Sequence, residues 1–244
     1  MGADKQHYPL DCPYYWYRAG GTLEFQPRIL SGSALSITGL VFDQLEWTSG
    51  MEWSGVKDSQ GDAKPFDKSF IDTLWELVQM RLGNSEEVLL FGNQKQALRD
   101  AFFLSLVKGF PAISGGPQDN ITLFRLRKRF TAAYHYLRRT AAGAGHGAAT
   151  PMTHQALHYL QELEYCRGRH LAITHSSRSG LVPRLARPGD VCCVVPGNSV
   201  VYILRPGADC NIYRLVGSAY VHGVMAGELV WGAGPNDWKE IALI

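Results

Sequence analysis

Apolar and polar positions change their period along the chain. Leu35, Ile37, Gly39 and Val41 alternate with Ser36, Thr38, Leu40 and Phe42, and positions 50–64 then turn polar. Little in this first run is strongly polar, so it predicts a strand buried largely on both faces. Phe66, Phe70, Leu74, Leu77 and Val78 next recur at spacings of three and four, with Asp67 as a first-turn anion. That is a helical period. A second helix is expected over 94–108, stopped by Gly109-Phe110-Pro111. A third is expected over 121–139 and a fourth over 151–165, where Leu157, Leu160 and Leu163 form a weak apolar face. A Gly/Pro loop at 113–120 and a small-residue linker at 140–150 separate them.

Beyond Cys166 the pattern becomes that of short strands. Leu171 to Thr174, Val191 to Val195, Val200 to Leu204, Ile212 to Val216 and Ala219 to His222 are apolar runs. Turn residues divide them, notably Pro196-Gly197-Asn198 and Pro206 to Asp209. Short strands with tight turns indicate a barrel or compact sandwich. The early strand has no partner near it in sequence and is expected to join these late ones. The expected fold is therefore α+β, a small β-barrel with a helical insertion packed on it. The expected organisation is one domain over 1–244, with an irregular segment at 1–34, strand and loop at 35–65, the insertion at 66–165 and the barrel portion at 166–244.

Composition narrows the function. The chain has 244 residues, 45% hydrophobic and 19% charged, enough for a sizeable core without a metal or disulfide staple. A net charge of +2 is too near neutral to argue for nucleic acid or an anionic membrane. The basic cluster Arg125, Arg127, Lys128, Arg129, Arg138 and Arg139 spreads round more than one helix face, as a solvated surface does. No run of about 18 apolar residues would span a membrane. Cys12, Cys166, Cys192, Cys193 and Cys210 form an odd set without zinc-like spacing, which fits reduced thiols in a cytoplasmic protein.

His222 carries the best candidate chemistry, within Tyr220-Val221-His222-Gly223. Its ordinary pKa near 6.5 suits a general acid or base. The alternative is a buried histidine satisfied at a strand end. Glu228 could orient it across a turn, or be exposed. Asp190, in Pro188-Gly189-Asp190, either orients a catalytic group or caps a turn. Trp47, Trp53 and Trp231 are candidate walls of a substrate pocket, or core residues. His154 and His158 stand four apart on the fourth helix, a spacing that can bind zinc. Gln155 stands where the metalloprotease motif has Glu, so no metal is expected. No glycine-rich phosphate motif is present, and no cofactor is expected.

Several short strings, in order, carry a family resemblance. They are Gly168-Arg169-His170-Leu171, Pro188-Gly189-Asp190-Val191, Leu204-Arg205-Pro206, Tyr213-Arg214-Leu215-Val216-Gly217 and Tyr220-Val221-His222-Gly223-Val224-Met225. Together they resemble the C-terminal region of fungal heterokaryon-incompatibility (HET) domain proteins, and Leu35 to Leu45 resembles the strand that opens that region. That family usually has acidic residues where this chain has Ser218 and Ala226. The resemblance implies a chain starting after the N-terminal HET domain, so the family's activity is not carried over, and it brings no catalytic residues.

Two functions are expected from these features. One is a cofactor-independent enzyme of fungal secondary metabolism, cyclising, isomerising or dehydrating an apolar oxygenated small molecule. In it His222 is the acid or base, Tyr220 a hydrogen-bond donor, and Glu228 or Asp190 the orienting group. The other is a non-catalytic regulatory or protein-interaction module. Either is compatible with a homo-oligomer.

Overall fold

The computed structural model of the protein describes residues 17–24, 26–30, 34–50, 69–82, 94–107, 120–141, 152–163 and 166–244. The strands are β1 (Arg28–Ile29), β2 (Leu35–Thr48), β3 (Arg169–Thr174), β4 (Ser179–Pro183), β5 (Val191–Val194), β6 (Val201–Pro206), β7 (Ile212–Val221) and β8 (Lys239–Leu243). Helices α1 (Ser69–Leu82), α2 (Gln94–Leu106), α3 (Asn120–Ala141) and α4 (His154–Leu163) lie between β2 and β3. The α+β architecture with a helical insertion is as the hydrophobic pattern predicts.

One long strand organises the sheet. Residues 35–39 of β2 pair with β8, residues 40–44 with β5, and residues 45–48 with β3, all antiparallel. Register shifts between Val41 and Asp43 and between Leu45 and Trp47 re-aim β2 from one partner to the next, as β-bulges do. The ladder then runs β3–β4–β7–β6–β5 and returns to β2, so the ring closes. Closure leaves those strands without a free edge. A second circuit closes through β8, which pairs with β2 and, in parallel, with β7. The early strand thus joins the late ones.

Both faces of the β5–β6 hairpin are packed. Cys192, Val194, Val201 and Ile203 belong to the main core cluster. Val191, Cys193 and Leu204 belong to a second cluster with Ile37 and Ile241. The adjacent cysteines therefore point to opposite faces, as strand pleating requires, and both are fully buried.

The helices bury stripes at helical spacing. Ile71, Leu74 and Val78 do so on α1, and Leu126, Phe130, Ala133 and Leu137 on α3. Each such large side chain stabilises by about 1.5–3 kcal/mol. Phe130 stacks on Phe103 of α2 at 5.1 Å and meets Tyr159 of α4 edge-on at 5.4 Å. The buried face of α4 is Ala156, Tyr159, Leu160 and Leu163, while Leu157 is exposed. The expected step of three across Leu157 is thus corrected to a three-and-four stripe that includes an aromatic. Helix α2 anchors the insertion to the barrel through a buried pair of hydroxyls, Ser105 Oγ and Ser179 Oγ, 3.0 Å apart.

The described part of the N-terminal segment is tied down. Arg18 N–H donates to Met225 O at 2.8 Å, Gly20 N–H to Asn198 O at 2.8 Å, and Tyr17 is buried. The predicted helix start at Phe66 and Asp67, the Gly109-Phe110-Pro111 stop and most of the 140–150 linker lie outside the described residues.

Candidate functional site

The end of β7 gathers more candidate groups than any other feature read from the sequence. Tyr220 and Val221 pair with Leu181 and Gly180 of β4. Backbone approach is very close there, since a Cβ on Gly180 would lie 2.5 Å from Tyr220 O. Past the strand, His222 N–H donates to Ser179 O at 2.9 Å, and Gly223 turns the chain with φ of 78°. The Tyr220 hydroxyl and His222 Nδ1 are 3.2 Å apart, within hydrogen-bond reach. Tyr17 lies against Tyr220 with ring centroids 5.9 Å apart.

Burial sets the protonation states of this pair. Burial, and secondarily the Glu228 charge, push the Tyr220 phenol well above its usual range. Burial pulls His222 below its usual value, opposed by the charges of Glu228 and Asp100. A neutral phenol and a neutral imidazole therefore share the hydrogen bond at neutral pH. Such an imidazole can take up a proton, and its half-buried position gives it some access to solvent.

The remaining predicted residues fall in different places. Glu228 is near enough to act electrostatically on both Tyr220 and His222. Its Oε2 accepts the Ala226 N–H at 2.8 Å, closing its own turn. Asp190 is buried at the start of β5, and both its oxygens are engaged, by the Arg205 guanidinium and by Arg187 N–H. Trp47 is half-buried against the main core, whereas Trp231 is 82% exposed. Trp53 lies outside the described residues. The structure thus brings Tyr220, His222 and Glu228 together and commits Asp190 to an ion pair.

Sequence reasoning missed Asp100 and the serine pair. Asp100 is buried on α2 and held by Arg127, whose Nε donates to Oδ1 at 2.9 Å. The available signal was a carboxylate two residues before Phe102-Phe103-Leu104, on a helix otherwise expected to bury apolar side chains. Arg127 belongs to the basic cluster, and so do Arg129, bound to Glu162 at 3.0 Å, and Arg138, 3.8 Å from Asp72. The cluster therefore ties α3 to α2, α4 and α1. Glu162 sits largely buried, and burial outweighs Arg129 to raise its pKa to about 7.

Ser218, one of the two positions where an acid was expected, faces a cation. Arg169 Nη1 donates to Ser218 O at 2.7 Å, and its Nη2 lies 3.3 Å from Ser218 Oγ.

A closed strand ring with this β7 terminus defines a β-barrel domain, and comparison with known proteins agrees. Residues 133–239 match the family model of the Het-6 β-barrel domain. A curated relative, Heterokaryon incompatibility protein 6, OR allele, of Neurospora crassa, is 35% identical over 82 residues. That stretch covers 33% of this chain and 12% of the relative. No solved structure matches. The C-terminal part of the chain is thus related to the heterokaryon-incompatibility proteins. Among the described residues no helix is long and apolar enough to cross a membrane.

Proposed function

We propose that the barrel works as a non-catalytic regulatory or interaction module of the heterokaryon-incompatibility type. The observation that carries this reading is the buried Tyr220 and its hydrogen-bond contact with His222. Tyr220 is 5% exposed, covered by Tyr17, and its hydroxyl reaches His222. Packing on both faces of β5 and β6 agrees with a barrel filled by its own side chains. In this reading His222 and Tyr220 lock the end of β7 against β4, and Asp190 locks the start of β5. The test is a chimera in which residues 133–239 of this chain replace the matching region of the Neurospora relative. Retained incompatibility supports the module. Loss of incompatibility in a chimera that accumulates normally contradicts it.

One observation favours the enzymatic reading, a cofactor-free enzyme of secondary metabolism. His222 is only half-buried, has a lowered pKa, and stands in the fields of Glu228 and Asp100. On that reading His222 is the acid or base and Tyr220 the hydrogen-bond donor. Substituting His222 by Gln would then abolish product formation from a small-molecule substrate in a fungal extract, without unfolding the chain.

A further inference from the structure

Outside the barrel, α4 carries an arrangement that neither functional reading uses. His154 and His158 stand one turn apart on its outer face, so their side chains lie one above the other. Their Nε2 atoms are 3.2 Å apart and their rings cross at 83° with centroids 4.3 Å apart. Two imidazole nitrogens bound to one zinc at about 2.0–2.1 Å lie about 2.9–3.4 Å apart for ligand angles of about 90–110°. The observed separation falls inside that bite. The contact is an imidazole–imidazole hydrogen bond, and it brings the two nitrogens to a chelating separation.

The surroundings suit a cation better than the basic character of α3 implies. Arg129 is the cation whose charge reaches His158 from α3. It is bonded to Glu162, the next residue in the same i, i+4 row, at 3.0 Å. The row His154, His158, Glu162 thus sets two imidazoles one turn from the Arg129–Glu162 contact. The helix itself is firmly seated, with Tyr159, Leu160 and Leu163 buried beneath it. Thr153 Oγ1 accepts the Ala156 N–H at 3.2 Å and closes its first turn. Little ordering is left for a metal to impose, and preorganisation of this kind raises affinity.

We propose that His154 and His158 form a two-imidazole site for a divalent transition-metal ion of the zinc, nickel or copper type, with water in the remaining positions. Imidazole nitrogens suit these ions and discriminate against magnesium and calcium, which prefer oxygen. Among the described residues no group of three or more His, Cys, Asp and Glu side chains could hold a metal. The site is therefore an open, exchangeable one and not a closed structural centre.

The test is calorimetric titration of the untagged full chain with Ni2+, and in parallel with Zn2+. The wild type should bind one ion that H154Q or H158Q weakens at least tenfold and that the double variant no longer binds. Magnesium should give no heat at these concentrations. Both histidines are on the outer face of α4, so circular dichroism of the double variant should match the wild type. As an independent readout, saturating Ni2+ should raise the Tm of the wild type and leave that of the double variant unchanged. Wild-type affinity retained in both single variants, or equal Tm shifts in wild type and double variant, would overturn the proposal.

Discussion

Arg205 grips Asp190 with two parallel hydrogen bonds, Nε to Oδ1 at 2.8 Å and Nη2 to Oδ2 at 2.9 Å. The same Nη2 also donates to Leu185 O at 2.7 Å. The pair pins the loop before β5 to the end of β6, and Asp190 is 1% exposed. Removing one partner of a buried pair leaves the other uncompensated and costs about 3–5 kcal/mol. Arg205→Ala strands the buried carboxylate and should destabilise on that scale in urea unfolding. Asp190→Ala leaves a part-exposed guanidinium and should cost less, with strong non-additivity in the double variant. Losses below about 0.5 kcal/mol, the range of ordinary surface changes, would show that the pair is not structural.

Gly180 is where β4 and β7 close the ring around the Tyr220–His222 pair. A methyl group there would lie 2.5 Å from Tyr220 O. Backbone cannot yield as a flexible side chain can, so Gly180→Ala should cost at least about 1–3 kcal/mol. Backbone amide exchange should rise at the end of β7 before it rises in the β5–β6 hairpin. Unchanged protection at Tyr220 and Val221 would contradict this account of closure.

Glu162 makes stability depend on pH in an unusual direction for a carboxylate. Burial raises its folded pKa from the ordinary carboxyl value of 4.5 to about 7. The folded chain therefore binds its proton more tightly than the unfolded chain. The stabilising contribution is full below the unfolded value and is lost as pH rises through about 7. The conversion is about 1.4 kcal/mol per unit of pKa, so the loss is a few kcal/mol. His222 acts oppositely. Its folded pKa is lowered, so its contribution is full above the unfolded value near 6.5 and falls as pH drops through the folded value. Comparing wild type with Glu162→Gln isolates the first effect. The urea midpoint of the wild type should fall relative to the variant between about pH 5 and 8. A constant difference across that range would count against a buried carboxyl of raised pKa.

Ser218 meets Arg169 through its carbonyl and its hydroxyl. An acid there adds a negative charge beside the Arg169 guanidinium. Ser218→Asp should stabilise by about 0.2–1 kcal/mol, as for a partly exposed pair, and the gain should shrink in high salt. Destabilisation by the substitution would mean that the Arg169 charge is already balanced.

Much of the barrel is legible from pattern, because its strands carry their signals locally. Val191 to Val194, the Pro196-Gly197-Asn198 turn and Val201 to Pro206 form the hairpin that they predict. Elements whose partners are remote are harder to read. Strand β4 contains Gly180 and ends at Pro183, residues that weaken a strand reading. Strand β8 is Lys-Glu-Ile-Ala-Leu, and its partner in β2 stands some two hundred positions earlier. Gly217, with φ of 149° and a register shift opposite Ile203 and Leu204, makes one strand read as two. The site divides in the same way. Tyr220 and His222 are two residues apart, so their meeting is written in the strand. Asp190 can be read as a turn cap, but Arg205 cannot be read as its partner. Asp100 and the Ser105–Ser179 pair reach the barrel only through the packing of α2 on β4.

The central claim is that the Tyr220–His222 pair holds the barrel together and performs no chemistry. Incubating wild type and the folded His222→Gln and Tyr220→Phe variants with fungal extract, and comparing the small molecules by mass spectrometry, tests it most directly. The account predicts identical product spectra for all three proteins, together with unfolding free energies lowered by about 1 kcal/mol or more in the variants. A product formed by the wild type and absent with a His222→Gln variant of undiminished stability would contradict it.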